Sequence, residues 1–189
     1  MRVLCFGDSN TWGYDPRSYF GGRYPAEDRW TDRLARETGW EVLNAGENGR
    51  EIPRRAAEFR LVRDLLNRRA PDRLIVLLGS NDLLQGADVP AVAARMEAFL
   101  TALDFPMAHI LLLAPPPMVP GAWVTEARLL TDSAALSGAY RALAARLGTA
   151  FADAGAWQVS LAFDGIHFTE EGHHAFAAGL ADVVRTWTP

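Results

Sequence analysis

Short apolar runs alternate along the chain with longer segments in which apolar residues recur every three or four positions. The short runs predict buried strands, because each is followed within a few residues by glycine, proline or polar residues. The periodic segments predict amphipathic helices. The predicted strands are Arg2–Phe6, Glu41–Asn44, Leu74–Leu78, Ile110–Ala114 and Ala150–Ala152, and the predicted helices are Trp30–Glu37, Ile52–Arg69, Pro90–Leu103, Leu129–Leu147 and a last helix capped by Thr169.

This alternation of strands and helices predicts a parallel sheet that is covered by helices on both faces. The strands are almost continuously apolar, which is typical of strands buried on two sides. We therefore predict an α/β fold of three layers, α/β/α, in one domain that spans residues 1–189. Polar residues of interest follow the first, second, third and fifth strands, at the edge where such sheets bind ligands.

Composition narrows the classes of function. The net charge of −4 argues against a nucleic acid or an anionic membrane surface as partner. All 19 basic residues are arginines, which excludes Schiff-base chemistry on lysine and a Walker-type lysine. No apolar stretch is long enough to span a bilayer and no signal peptide precedes Val3, so we expect a cytoplasmic protein. The single cysteine, Cys5, lies inside an apolar run and is expected to be a core residue.

Ser9 is the first candidate for chemistry, in the segment Gly7-Asp8-Ser9-Asn10 after the first predicted strand. A serine at this edge can act as a nucleophile if a base, a group that orients the base and oxyanion donors lie close to it. The alternative is that this polar segment only caps the next helix. No serine lies in a G-x-S-x-G motif, so the nucleophile elbow of the α/β-hydrolases is absent.

His167 is the candidate base, because it lies just before the last predicted helix. Asp164 lies three residues earlier, across a turn that Gly165 permits. We expect its carboxylate to accept a hydrogen bond from the imidazole, fixing the tautomer and stabilising the imidazolium. The alternative is a local turn with an exposed histidine. A metal site of Asp164, His167 and His173 is disfavoured, because their spacing does not match a helical H-x-x-x-H pair and thiolate ligands are lacking.

Two further loops carry candidate donors for an oxyanion. The loop after the second strand contains Gly46 and Gly49, and glycine allows backbone N–H groups to approach a ligand closely. Asn81, after the third strand, has a side-chain amide with two donors. The alternative for both loops is an ordinary turn without a role in chemistry.

Taken together, these motifs resemble the four sequence blocks of the SGNH (GDSL-type) hydrolases. The blocks occur in the family's order over nearly the whole chain, and they are Gly7-Asp8-Ser9, Gly49 in the segment Asn44–Gly49, Gly79-x-Asn81-Asp82, and Asp164-x-x-His167. The stretch Cys5–Tyr14 is most similar to the arylesterase/acyltransferase branch. Asn10 stands where the family usually has leucine, and the loop after Arg50 is shorter than in that branch.

The resemblance implies a flavodoxin-like fold with five parallel strands in the order 2-1-3-4-5. It implies that Ser9 is the nucleophile, His167 the base and Asp164 its partner. The implied oxyanion donors are the N–H groups of Ser9 and Gly49 and the side chain of Asn81, with family spacing favouring Gly49 over Gly46. No metal or organic cofactor is expected.

For the substrate, the resemblance implies a small carboxylic ester whose acyl group is hydrolysed or transferred, with a carbohydrate O-acetylesterase as the alternative. Trp12, Tyr14 and Pro116 are candidates for lining the acyl pocket, against the alternative of core packing. A non-catalytic binding module is disfavoured, since the serine, asparagine, aspartate and histidine are all present. A homo-oligomer is left open.

Overall fold

A five-stranded parallel sheet forms the centre of the structure, a computed structural model that describes residues 1–187. Its strands are β1 (Arg2–Gly7), β2 (Glu41–Gly46), β3 (Arg73–Leu77), β4 (Ile110–Ala114) and β5 (Ala150–Asp153). They pair in parallel in the order β2-β1-β3-β4-β5, which confirms the predicted topology.

Helices cover both faces of this sheet. They are α1 (Ser9–Trp12), α2 (Trp30–Thr38), α3 (Ala56–Arg69), α4 (Ser80–Leu84), α5 (Val89–Thr101), α6 (Ala127–Leu147) and α7 (Glu170–Thr186). Two hydrophobic clusters show that α3, α5 and α6 pack on one face and α2 and α7 on the other, so the predicted three layers are confirmed. Within residues 1–187, no helix has the length and apolar character needed to cross a membrane.

The inner strands send successive side chains into two different buried layers, which explains why they are apolar at nearly every position. In β1, Leu4 and Phe6 belong to the cluster with α3, α5 and α6, whereas Val3 and Cys5 belong to the cluster with α2 and α7. Cys5 is fully buried, as expected, and burial raises the pKa of its thiol. An inert core thiol follows from this environment.

The predicted start of the helix Ile52–Arg69 is wrong, because α3 begins only at Ala56. Ile52 is buried, but its backbone N–H donates to Asp82 Oδ2 at 3.0 Å instead of entering a helix. The helix starts where the Glu58 carboxylate accepts hydrogen bonds from the backbone N–H groups of Arg54 and Arg55. These bonds lower the pKa of Glu58 to about 2.

The last residue of β2, Gly46, touches the backbone of α1. A Cβ atom at Gly46 would lie 2.1 Å from the backbone nitrogen of Trp12, which is too close for any side chain. We expect Gly46→Ala to lower the free energy of unfolding by about 3 kcal/mol, because two backbone segments would have to separate. Urea unfolding measures this change.

Gly138→Ala is the matched control for Gly46→Ala. Gly138 lies in α6, and a Cβ atom there would meet nothing within 4 Å. Alanine favours a helix over glycine by about 1 kcal/mol, so this variant should be at least as stable as the original chain. Equal stability of the two variants would contradict the close approach of β2 to α1.

Candidate active site

The carboxyl edge of the sheet carries a cavity of about 200 Å³. Its walls come from five separate segments, which follow β1, β2, β3 and β4 and precede α7. The lining residues are Ser9, Tyr14, Asn48, Gly49, Asn81, Trp123 and His167. The structure therefore brings Ser9, Gly49, Asn81 and His167 to one cavity.

Ser9, His167 and Asp164 form a continuous chain of hydrogen bonds. Ser9 Oγ lies 2.9 Å from His167 Nε2, and His167 Nδ1 lies 2.7 Å from Asp164 Oδ2. All three residues are buried. The second carboxylate oxygen, Asp164 Oδ1, accepts from the backbone N–H groups of Ile166 and His167, both at 2.9 Å. The turn at Gly165, where φ is +86°, allows this fold-back.

The ionisation of Asp164 fixes the roles of the two ring nitrogens of His167. Burial opposes ionisation of this carboxyl, but the hydrogen bonds from the His167 ring and from two backbone N–H groups outweigh it and hold the pKa below its usual value. An ionised Asp164 only accepts hydrogen bonds, so Nδ1 carries the proton. With the proton on Nδ1, the ring presents Nε2 to Ser9 as the acceptor of the hydroxyl hydrogen bond.

Asp8, and not Ser9, caps the short helix α1. Asp8 Oδ1 accepts from the Asn10 backbone N–H at 3.0 Å, as an N-cap residue does. Burial raises the pKa of Asp8 to about 6, although the Asn10 N–H, His167 and Arg50 each lower it. The helix-cap interpretation thus holds for Asp8, which leaves the Ser9 hydroxyl directed toward His167.

Asn10 connects the nucleophile segment to both sides of His167. Its Nδ2 donates to the Ile166 carbonyl at 3.2 Å, and its Oδ1 accepts from the Phe168 N–H at 2.9 Å. The Trp30 indole donates in turn to the Asn10 carbonyl at 2.9 Å. The sequence does not indicate these contacts of the Asn10 side chain, because its partners lie more than 150 residues away.

Gly49 and Asn81, the expected oxyanion donors, line the same cavity as Ser9 and His167. Gly49 has a φ of +73°, which glycine adopts without strain. Asn81 Nδ2 donates one hydrogen to the Arg50 carbonyl at 3.0 Å, which leaves its second N–H for a group in the cavity. Gly46, the competing candidate, does not line the cavity, and its N–H donates to Asn44 Oδ1.

Two aromatic side chains flank His167. The ring centroid of Tyr14 lies 4.6 Å from that of His167, and the ring of Trp123 meets it edge-on at 5.2 Å. Tyr14 was expected in the pocket, whereas Trp123 was not. Trp123 reaches the site because its backbone N–H donates to the Asp164 carbonyl at 3.1 Å. No short motif in the sequence signals that contact.

The expectation that Trp12 and Pro116 line the pocket is not met, since neither belongs to the walls of the Ser9 cavity. The ring of Trp12 instead stacks against the Arg23 guanidinium at 5.3 Å. Pro116 is buried in the segment after β4. The nearby Met118 N–H donates to Ser133 Oγ, which holds this segment against α6.

The alternative metal set of Asp164, His167 and His173 is not assembled. Among residues 1–187, the one group of three histidine, cysteine or acidic side chains with ligand atoms close enough for a metal is Asp28, Glu170 and His174. Within this group, His174 Nε2 and Asp28 Oδ1 lie 2.9 Å apart as a hydrogen-bonded pair. None of its members lines the Ser9 cavity.

His173 is buried between aromatic rings. It is fully buried, and its ring centroid lies 5.1 Å from that of Tyr24 and 5.3 Å from that of Phe168. Burial, assisted by the charges of His174, Arg29 and His167 and opposed by Asp15, lowers its pKa from 6.5 to about 3. Between about pH 3 and pH 6.5, the His173 ring is therefore neutral in the folded protein but protonated in the unfolded chain.

We expect His173 to make the fold less stable in acid. Only the unfolded chain takes up the proton of His173 over this range. The contribution of His173 therefore lowers the free energy of unfolding progressively as the pH falls from 6.5 toward 3. At pH 5 the loss should be about 2 kcal/mol relative to pH 7.5. Urea unfolding of wild type and His173→Leu at both pH values isolates this contribution. An equal pH dependence in the two proteins would contradict it.

The match to an esterase family and the similarity to solved esterase structures place the protein in the class of ester-hydrolysing enzymes. The chain belongs to the GDSL-like lipase/acylhydrolase family, whose sequence model matches residues 5–175. The family resemblance drawn from the sequence motifs is therefore confirmed. No curated protein sequence matches the chain significantly.

The chain is similar over nearly its whole length to several proteins of known structure. The aryl esterase of M. smegmatis is 27% identical, with 99% of both chains covered and a TM-score of 0.85. Est24, a carbohydrate acetylesterase from Sinorhizobium meliloti, has the same identity, coverage and TM-score. A further carbohydrate acetylesterase family member from Sinorhizobium meliloti is 31% identical, with 98% of both chains covered and a TM-score of 0.84.

Proposed function

We propose that the protein is a serine esterase that forms an acyl-enzyme on Ser9 and hydrolyses esters of small carboxylic acids. The observation that carries this proposal is the hydrogen-bonded chain from Ser9 Oγ through His167 to Asp164, with distances of 2.9 and 2.7 Å. A serine, a base and a group that orients the base are the requirements for a nucleophilic hydroxyl. Gly49 and Asn81 complete the proposal as donors to the oxyanion.

In the first step, Ser9 Oγ attacks the carbonyl carbon of the ester while its proton moves to His167 Nε2. The carbonyl oxygen becomes an oxyanion, which accepts hydrogen bonds from the N–H groups of Ser9 and Gly49 and from the Asn81 amide. Asp164 stabilises the imidazolium that forms. Collapse of the tetrahedral intermediate breaks the bond to the alcohol, and His167 returns its proton to the leaving oxygen.

In the second step, water releases the acyl group from Ser9. His167 removes a proton from the water as its oxygen attacks the acyl carbon, and the same three donors hold the second oxyanion. The proton then passes from His167 to Ser9 Oγ as the carboxylic acid leaves. An alcohol in place of the water would give acyl transfer by the same steps.

The dimensions of the cavity favour a small acyl group. Its volume of about 200 Å³ is below the range usual for drug-sized ligands. Tyr14 and Trp123 give it aromatic walls, which suit a flat aryl leaving group and equally the apolar face of a sugar ring. Hydrolysis of aryl esters is our first candidate, on the similarity to the aryl esterase of M. smegmatis.

Deacetylation of carbohydrates is the second candidate, favoured by the similarity to the carbohydrate acetylesterases of Sinorhizobium meliloti. A panel of acetyl, butyryl and octanoyl esters with aryl leaving groups, run beside acetate release from acetylated saccharides, separates the two. We expect acetyl esters to be turned over fastest. Faster turnover of octanoyl esters would contradict the small acyl site, and failure to hydrolyse any ester would contradict the proposal itself.

A cytoplasmic location is part of the same proposal. The one cysteine, Cys5, is a buried free thiol, which suits a reducing compartment.

A further inference from the structure

Arg50 follows the proposed oxyanion donor Gly49 directly, and its side chain reaches back to the ends of two strands. Arg50 Nη1 donates to the carbonyl of Gly7 at 2.8 Å and also to the carbonyl of Ala45, so one nitrogen joins β1 to β2. The guanidinium lies over the Phe6 ring, 4.2 Å from its centroid. With only 18% of the side chain exposed, these contacts are largely shielded from water.

The backbone of Arg50 holds the other proposed donor. Its carbonyl accepts the Asn81 side-chain amide at 3.0 Å, and its N–H donates to the Glu47 carbonyl at 3.2 Å. The same residue therefore fixes the loop that carries Gly49 and orients the amide of Asn81. Its guanidinium ties both of them to the strand ends, where Ser9 also lies.

We propose that Arg50 is a positioning residue for the oxyanion site, an inference that rests on the proposed function. Donors that stabilise an oxyanion must already be in place before the charge develops, because moving them during the reaction costs free energy. A loop that turns through a glycine with positive φ has little stiffness of its own. The two hydrogen bonds from Arg50 Nη1 to the ends of β1 and β2 supply the stiffness that Gly49 and Asn81 need.

A second, independent anchor holds the far end of this loop. The Ile52 N–H donates to Asp82 Oδ2 at 3.0 Å, and Asp82 Oδ1 accepts from Arg95 Nη1 at 2.8 Å. Asp82 is fully buried, and these bonds do not involve the Arg50 side chain. Loss of the guanidinium should therefore loosen the loop near Gly49 without releasing it from the fold.

The test replaces Arg50 with methionine, which keeps an apolar stem over Phe6 but no donor, and with lysine, which keeps the charge. Active sites are counted by incorporation of a fluorophosphonate, in which Ser9 Oγ bonds to phosphorus, fluoride leaves and the serine proton passes to His167. We expect the kcat per active site to fall about 30-fold in Arg50→Met and less in Arg50→Lys, with KM changed less than about 2-fold. Arg60→Met, at an exposed position of α3, should match wild type.

An alkylboronic acid provides a readout that a merely structural role would not change. It adds Ser9 Oγ to boron and forms a tetrahedral adduct that resembles the oxyanion intermediate, while the serine proton passes to His167. Its affinity per active site should fall by the same factor as kcat in Arg50→Met. In a double-mutant cycle with Asn81→Ala, the two losses should be less than additive, because Arg50 acts partly through Asn81.

The inference is overturned if Arg50→Met has normal kcat and normal boronate affinity per active site. It is equally overturned if only the number of active sites falls while the kcat of each remains normal. If Arg50→Met does not fold, Arg50→Lys decides by the same two measurements. An inactive Ser9→Ala beside a normal Arg50→Met would reject only this inference, whereas an active Ser9→Ala would reject the proposed function beneath it.

Discussion

Ser9→Ala should lower kcat/KM for p-nitrophenyl acetate by at least about 10⁴-fold. Removing the hydroxyl removes the attacking atom, so only the binding and oxyanion contributions to catalysis remain. The change deletes one oxygen from a buried side chain and should leave the fold intact. Steady-state kinetics, with circular dichroism and urea unfolding as checks on folding, measure the effect.

Ser18→Ala is the control for the loss at Ser9, because Ser18 lies in the loop between α1 and α2, where its hydroxyl accepts a hydrogen bond from the Gly22 N–H. It should retain wild-type activity. Full activity of Ser9→Ala toward small esters would contradict the assignment of Ser9 as the nucleophile and would direct attention to a hydrolytic site elsewhere.

Asn81→Ala should lower kcat by about 100- to 1,000-fold while KM changes little. The Asn81 amide is proposed to bond more strongly to the oxyanion than to the neutral carbonyl, so its loss affects the transition state more than the bound ester. A comparison of kcat and KM on one aryl ester makes the distinction.

Asn67→Ala, at an exposed position of α3, is the matched control for Asn81 and should show wild-type kinetics. If the loss in Asn81→Ala appeared in KM alone, with kcat unchanged, Asn81 would bind substrate and transition state equally. The role of oxyanion donor would then be wrong for this residue.

The sequence was sufficient to predict the sheet because the signal for it is local. Continuous apolar runs such as Leu74–Leu78 mark strands buried on two faces, and the family motifs fixed the strand order that the structure confirms. The location of the site could be predicted as well, because parallel strands bring their carboxyl ends to one edge of the sheet. Ser9, Gly49, Asn81 and His167 meet there in one cavity, and their catalytic roles stay predictions until they are tested.

What the sequence could not predict depends on contacts between distant segments. Ile52 fits the apolar periodicity of α3, yet its N–H donates a hydrogen bond to the Asp82 carboxylate and the helix begins four residues later. The backbone N–H of Trp123 donates a hydrogen bond to the Asp164 carbonyl and so places Trp123 at the site, whereas the Trp12 ring packs against the Arg23 guanidinium. In each case a tertiary contact overrides a local pattern, and no spacing along the chain encodes it.

The same limit explains why the sequence does not indicate what the side chains of Arg50 and Asn10 contact. Arg50 lies in a loop and Asn10 in the one-turn helix α1, and an exposed side chain is the ordinary outcome for polar residues in such surface segments. Asn10 instead bonds to the backbone on either side of His167, and Arg50 bonds to the backbone at the ends of β1 and β2. These contacts become visible only when the segments around the cavity are seen together.

The account depends most on the claim that the acyl group passes through Ser9. Rapid mixing with p-nitrophenyl acetate, an acid quench and mass spectrometry of the proteolytic peptides test this claim directly. We predict an acetyl group on the peptide that contains Ser9, formed with the burst of p-nitrophenol and absent from Ser9→Ala. An acetyl group on another residue, or full turnover with an unmodified Ser9 peptide at every time point, would contradict the account.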